Sequence, residues 1–157
     1  MNTLIKIKNL SVGFHSQGHL NNVVHSISFN IPRGKTVAIV GESGSGKSQF
    51  VKTLSGLNED YYELTQGSIE YILNDTESFS ITSNSGSNDI NYSSIKEYFL
   101  KNNIYGRNIG MMFQNPSTCF NPFWTVGQHF DAIEQIVMHT GEYQELISFK
   151  KQILHTK

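Results

Sequence analysis

The sequence has little cysteine and little arginine, and both shortages exclude classes of protein. Cys119 is the only cysteine among 157 residues, which excludes an internal disulfide and a paired-cysteine metal or redox site and favours a cytosolic location. Arg33 and Arg107 are the only arginines, and the formal net charge is -1. Because a nucleic-acid-binding surface needs basic residues to neutralise phosphates, nucleic acid is not an expected partner.

Long hydrophobic runs are also missing. No apolar stretch approaches the roughly 18 to 20 residues that a membrane helix requires. The first ten residues alternate apolar side chains with Lys6 and Lys8, which favours a strand over a signal peptide. Direct membrane insertion is therefore not expected, and a partner would have to hold the chain at a membrane.

The first half of the chain has the pattern of a sheet followed by a helix. Apolar and polar residues alternate over 5–14 and over 27–31, which predicts two half-buried antiparallel strands joined by a polar loop at 15–22. Residues 36–40 form a short apolar, β-branched run that is typical of a buried parallel strand. Residues 47–57 carry apolar side chains at helical spacing, which predicts a helix.

The second half is less regular. Residues 74–93 are rich in Ser, Asn, Asp, Thr and Gly, and they predict a flexible surface insertion. Two pairs with capping-box spacing, Ser94 with Glu97 and Thr125 with Gln128, predict helix starts. The other elements predicted here are a strand at 67–73, a strand at 109–113 and a last amphipathic helix that begins near Tyr143.

Eight consecutive residues match the phosphate-loop pattern GxxxxGK[ST] without a gap. They lie between a predicted strand and a predicted helix, which is the context that this motif requires. Backbone N–H groups can surround phosphate oxygens only where side chains stay away, and glycine also permits positive φ values. The residues are Gly41, Glu42, Ser43, Gly44, Ser45, Gly46, Lys47 and Ser48, with positive φ values expected at the three glycines.

The loop predicts binding of a nucleoside triphosphate, with MgATP as the first candidate. The helix that begins near Lys47 directs the positive end of its dipole at the phosphates. Lys47 adds a mobile charge for the β and γ phosphates, and the Ser48 hydroxyl is placed to ligate Mg²⁺. The alternative interpretation is an ordinary turn rich in Gly and Ser.

Further features resemble the ATP-binding subunit of an ABC transporter. Phe14 lies upstream of the loop, where such ATPases place an aromatic residue that stacks on adenine; a core-facing strand residue is the alternative. Gln114 resembles the family's Q-loop glutamine, whose amide contacts Mg²⁺ and the attacking water; a residue that caps a strand and turn is the alternative. Residues 115–122 resemble the branch that imports dipeptides, oligopeptides and nickel, with Asn115 in place of the usual acid and Phe120 in place of leucine.

The resemblance implies a fold, cofactors and partners. The fold is the α/β core of a P-loop NTPase with an N-terminal antiparallel β subdomain, as one domain at 1–157 that is truncated within a helical subdomain beginning at about 123. ATP and Mg²⁺ are the implied cofactors, with Gln114 as a catalytic residue and Ser48 and Gln114 as magnesium ligands. The implied partners are transmembrane permease subunits and a second ATPase subunit, at the cytoplasmic face of the cell membrane.

Parts of the family's hydrolytic machinery are not found in this sequence, namely an apolar strand ending in Asp-Glu, an LSGGQ-like segment and a switch histidine. We therefore expect the chain alone to bind MgATP without hydrolysing it. Without the later strands of the core, open strand edges at 36–40 and low solubility are also expected. Asp75, His15 and His19 are not expected to bind metal, and Cys119 is expected to be an inert thiol.

Three classes of function stay open at this point. The first is the N-terminal part of an importer ATPase. The second is a different P-loop enzyme, such as a small-molecule kinase or a GTPase, which would need arginines over the transferred phosphoryl group or an NKxD segment. The third is a truncated nucleotide-binding remnant or a regulatory interaction module without ATPase activity.

Overall fold

A computed structural model describes residues 3–83 and 90–137 of the chain. The chain divides into two compact units, Met1–Ile109 and Gly110–Lys157. We call them the first and the second unit and describe each by itself.

The first unit is built on a five-stranded sheet in the order β2-β1-β3-β4-β5. Neighbouring strands are antiparallel except β4 and β5, which pair in parallel. The strands are β1 (Thr3–Ser16), β2 (His19–Pro32), β3 (Tyr62–Ile72), β4 (Ser78–Thr82) and β5 (Ile90–Asn91).

Two helices complete the described part of the first unit, and one helix belongs to the second unit. Short 3-10 turns lie at Tyr92–Ser94 and Pro116–Cys119. The helices are α1 (Lys47–Leu54), α2 (Ile95–Lys101) and α3 (Val126–Val137). Within the described residues, no helix combines the length and the apolar character needed to cross a membrane.

The predicted pair of antiparallel strands is confirmed as the β1–β2 hairpin, but the predicted loop at 15–22 is wrong. Ser16 pairs with His19, so only Gln17 and Gly18 form the turn. Both have positive φ values, 52° and 79°, as two-residue hairpin turns require to match the twist of the strands. Because residues 15–22 are mostly polar, the alternation that predicts a strand does not extend to the paired ends of β1 and β2.

The core of the first unit lies between the sheet and the helices. Phe50 of α1 packs against Phe29 of β2 with ring centroids 5.7 Å apart, and Phe99 of α2 packs against Tyr71 of β3 at 5.7 Å. Burial of such apolar side chains stabilises the fold by about 1.5–3 kcal/mol each. Other fully buried side chains are Ile7, Leu10, Val12, Ile69 and Ile81.

The segment 74–93, predicted as a flexible surface insertion, instead contributes to the sheet in its described part. β4 pairs with β3 along its length, and Ile81 is fully buried. Tyr92 is also buried, with 6% of its surface exposed. The prediction failed because the short alternation of apolar and polar residues around Phe79 and Ile81 is surrounded by polar residues. Pairing with β3 determines which of these side chains are buried.

Two predicted strands, 36–40 and 109–113, do not form in the described structure. Val40 is 91% exposed and Met112 is 92% exposed, and the second segment has only an isolated bridge between Tyr105 and Ile109. A parallel strand is stabilised by backbone hydrogen bonds to the strands beside it. None of the described strands pairs with residues 36–40. The predicted burial of residues 36–40 is therefore wrong, and the open strand edges expected for this segment stay a prediction.

The capping predictions have different outcomes. At the start of α3, Thr125 N–H donates to Gln128 Oε1 at 2.8 Å, and Gln128 N–H donates to Thr125 Oγ1 at 3.3 Å. This reciprocal pair confirms the capping box. α2 forms as predicted, but the Ser94 side chain makes no capping hydrogen bond. The helix predicted near Tyr143 lies outside the described residues.

Candidate nucleotide-phosphate site

The loop at 41–48 leads directly into α1, whose N-terminus is open toward an anion. The first backbone bond of the helix joins Phe50 N–H to Gly46 O at 2.8 Å. The amides of Lys47, Ser48 and Gln49 therefore precede the helical ladder. The first turn holds no acidic residue that would compete for these amides. The helix dipole and the amides together favour a phosphate at this end of α1.

The three glycines of the loop differ in why the structure favours glycine at their positions. Gly44 and Gly46 have positive φ values of 81° and 84°, whereas the positive φ value predicted for Gly41 is wrong. A Cβ atom at Gly46 would lie 2.4 Å from the Val23 carbonyl oxygen, but one at Gly44 would meet nothing within 4 Å. At Gly41 a Cβ atom would lie 3.0 Å from Ser45 Oγ. Gly46 thus also allows the loop to pack closely against β2.

Lys47 folds back over the loop. Its Nζ donates to Gly41 O at 2.9 Å, to Glu42 O at 2.5 Å and to Ser45 Oγ at 3.3 Å. Within the described residues, no carboxylate forms an ion pair with this ammonium group. The positive charge is therefore held by neutral oxygens, and a phosphate could replace them as a stronger acceptor.

An open cleft of about 220 Å³ lies over the start of α1. The exposed Ser48 side chain lines it beside the Lys47 stem. One wall is Val23 of β2, which the sequence did not predict because no local pattern marks it and only the sheet register places it there. The lining residues are Val23, Gly44, Ser45, Gly46, Lys47, Ser48 and Gln49.

Phe14 lies near the end of β1, as predicted, and at the same end of the sheet as the loop. Two residues before it, Val12 pairs with Val24, whose Cγ2 lies 3.6 Å from the Cβ position at Gly46. The half-buried Phe14 ring makes edge contacts with Tyr62 at 5.3 Å and Tyr61 at 6.2 Å between ring centroids. This aromatic cluster was missed, although the adjacent tyrosines at the start of β3 were a possible signal.

Gln114 belongs to the second unit, where it is exposed in a bend before the 3-10 turn Pro116–Cys119. The predicted phosphate loop and Phe14 are thus together in the first unit, and Gln114 is in the second. Its roles as a catalytic residue and a magnesium ligand stay predictions.

Comparison with known proteins identifies the family. The model of the family described as ABC transporter matches residues 24–156. The chain belongs to this ABC transporter family. The match includes the whole phosphate loop and Gln114, and the five-stranded sheet with α1 is the N-terminal part of its P-loop NTPase fold.

Relatives of this ABC transporter chain are peptide transport proteins by name. It is 31% identical over 96% of its length to the dipeptide transport ATP-binding protein DppD of Lactococcus lactis subsp. cremoris. It is 32% identical over 87% of its length to the oligopeptide transport ATP-binding protein OppD of Lactococcus lactis subsp. lactis, and over 88% to DppD of Escherichia coli. The chain spans 38%, 35% and 36% of the lengths of these relatives, respectively.

The other polar residues considered in the sequence form no metal site within residues 3–83 and 90–137. His15 lies in β1 and not in the predicted loop, and its exposed side chain contacts Glu63 at 2.9 Å. Asp75 is exposed and Cys119 is an exposed free thiol. In the part of the chain that the structure describes, no group of three His, Cys, Asp or Glu side chains could hold a metal ion.

A larger cleft of about 480 Å³ lies beyond the C-terminal end of α1 and contains no residue of the phosphate loop. Charged residues along it are paired, as in the contact of Lys96 with Asp60 at 2.6 Å. Its size does not make it the nucleotide site, because its ammonium group, Lys96, is already neutralised by a carboxylate and it contains no part of the phosphate loop. We therefore assign the candidate site to the smaller cleft over Lys47.

Proposed function

We propose that this chain binds MgATP in the loop from Gly41 to Ser48 and acts as the N-terminal portion of an ATP-binding subunit that powers the import of peptides or related solutes. The observation that carries the proposal is the Lys47 ammonium group, which among the described residues contacts neutral oxygens of its own loop and no carboxylate, beside the open N-terminus of α1. A triphosphate supplies the negative charge that this arrangement favours.

The residues of the cleft fit a magnesium-bound triphosphate. Ser48 is exposed and lines the cleft that contains Lys47, and a hydroxyl oxygen suits Mg²⁺, which prefers hard oxygen ligands. Ser48 would hold the ion together with phosphate oxygens. Bound there, Mg²⁺ would neutralise phosphate charge. Lys47 and the first-turn amides would orient the phosphates.

Phe14 is proposed to bind adenine by stacking, and its substitution should separate base binding from phosphate binding. Phe14→Ala should weaken ATP binding by about 5- to 100-fold, because stacking of a base on an aromatic ring contributes about 1–3 kcal/mol. Binding of inorganic triphosphate should change less than twofold, since that ligand has no base. Titration calorimetry with both ligands measures the difference.

Phe14→Tyr is the matched control because it keeps an aromatic ring at the same position on β1. We expect ATP affinity close to that of the wild type for this variant. Equal losses for ATP and triphosphate in Phe14→Ala would show a general disturbance of β1, and the adenine assignment would then be wrong.

The proposed transport role rests on the family and on relatives that are named for dipeptide and oligopeptide transport. Transmembrane permease subunits and a second ATPase subunit are the proposed partners, which would hold the chain at the cytoplasmic face of the membrane. In this arrangement the chain supplies a nucleotide site, and its partners supply the solute pathway.

Peptide uptake by the native cells tests this role. A chromosomal Lys47→Ala substitution should reduce uptake of labelled di- or oligopeptides to about the background level, because the phosphates lose their main charge partner. Lys52→Ala removes the same charge one turn later on α1 and should leave uptake largely unchanged. Normal peptide uptake in the Lys47→Ala cells, with MgATP binding by the purified wild-type chain intact, would contradict the transport role and favour a regulatory module.

A further inference from the structure

The C-terminal end of α1 is held by two tyrosine hydroxyls from outside the helix. Tyr71 of β3 donates its hydroxyl to Leu54 O at 2.6 Å, and Tyr105, which follows α2, donates to Gly56 O at 3.0 Å. The last carbonyl groups of a helix have no partner within the helix. Tyr71 satisfies one of these acceptors, Leu54 O, and Tyr105 holds Gly56, which directly follows the C-cap residue Ser55. Both bonds lie at the end opposite to the phosphate loop, and we call the two tyrosines the tyrosine anchor.

The tyrosine anchor is rigid because its rings belong to a packed aromatic cluster. Tyr71 stacks on Phe79 at 4.8 Å, and both Tyr71 and Tyr105 meet the fully buried Phe99 edge-on, at 5.7 Å and 5.3 Å. Burial raises the pKa of Tyr71 well above 10 and also raises the pKa of Tyr105. Both hydroxyls therefore stay protonated at neutral pH and remain donors.

Contacts at its two ends, together with the packing of Phe50 against Phe29, determine the direction of α1. The helix has eight residues, which is too short for stable helical structure without tertiary contacts. Its N-terminal end lies against β2, where Gly46 approaches the Val23 carbonyl group. Its C-terminal end is bound by the tyrosine anchor. A displacement at the C-terminal end would tilt the short helix and move the amides of its first turn.

We propose that Tyr71 and Tyr105 are positioning residues for phosphate binding, which hold α1 so that its first-turn amides and Lys47 point into the cleft. The proposal rests on the proposed function, since it concerns the affinity of the same phosphate site. The elements that carry the anchor, β3 and the segment after α2, thereby contribute to nucleotide affinity without touching the nucleotide.

The test compares the double variant Tyr71→Phe/Tyr105→Phe with two controls. Tyr98→Phe removes a hydroxyl from α2 in the same aromatic cluster, and Ile81→Val trims the buried core of β4. Dissociation constants for MgATP are measured at a temperature where circular dichroism shows every variant folded. We expect the double variant to bind about three- to tenfold more weakly, as expected for lost hydrogen bonds that align a site, and the controls to stay within about twofold.

Hydrogen exchange without nucleotide gives a second readout that separates this proposal from the proposed function. The amides of Ser48 and Gln49 should exchange faster in the double variant than in either control. If the wild-type chain does not bind MgATP, the proposed function fails and hydrogen exchange alone decides on the anchor. Should the double variant not fold, Tyr105→Phe, whose ring is less buried, replaces it. Affinity and exchange equal to those of the controls would overturn the positioning role.

Discussion

Lys47→Ala should weaken MgATP binding by about 100-fold, since a charge-assisted hydrogen bond contributes about 1.5–3 kcal/mol and Lys47 can form more than one with the phosphates. The ammonium group already lies over the loop, where it contacts Gly41 O, Glu42 O and Ser45 Oγ. No large rearrangement of the side chain is therefore needed for it to reach a phosphate. Titration calorimetry with MgATP measures the change in dissociation constant.

Lys52→Ala is the matched control for this substitution. Lys52 lies on the same helix and forms an ion pair with Glu59 at 2.8 Å, a contact that also lowers the pKa of Glu59. The variant removes the same charge from α1 but leaves the phosphate loop unchanged, so MgATP affinity should change by less than about threefold. Equal effects of the two substitutions would mean that Lys47 acts only through the net charge of the chain.

Gly46→Ala should destabilise the fold by about 2–5 kcal/mol. The residue has a φ of 84°, which is unfavourable by about 1–2 kcal/mol for a residue with a side chain. The new Cβ atom would also lie 2.4 Å from Val23 O, and such overpacking adds about 1–3 kcal/mol. Urea denaturation followed by circular dichroism measures the loss, and a variant that is unfolded without urea is within the expectation.

Gly44→Ala separates the two contributions. Gly44 has nearly the same φ, 81°, but its Cβ position meets nothing within 4 Å. The expected destabilisation is therefore about 1–2 kcal/mol, from backbone conformation alone. If both alanine variants lose the same stability, a Cβ atom at position 46 is accommodated beside Val23, and the predicted cost of overpacking is wrong.

The sequence predicted features whose signals are local. The phosphate loop is a contiguous motif with a fixed spacing, and the alternation of β1 and β2 lies within each strand. The capping box of Thr125 with Gln128 also needs only residues that are three apart. In these cases the residues that determine the structure are close in the chain, so the pattern could be recognised in the sequence. Spacing alone is not sufficient, because Ser94 and Glu97 have the same spacing and Ser94 makes no capping hydrogen bond.

Features that depend on pairing between distant segments could not be predicted from the sequence. The apolar run 36–40 was predicted to be buried, but burial of a strand depends on its neighbours in a sheet. Ile81 was missed for the opposite reason, because β3 supplies the pairing that buries it. The Val23 wall of the cleft and the tyrosine anchor likewise depend on register and tertiary packing, which no local pattern encodes.

Titration of the folded wild-type chain with ATP, with and without Mg²⁺, tests the central claim most directly. We expect one saturable site per chain that inorganic triphosphate competes for, with tighter ATP binding when Mg²⁺ is present. A chain that circular dichroism shows to be folded, yet that binds no ATP at millimolar concentration, would contradict the assignment of the loop from Gly41 to Ser48 as a nucleotide site.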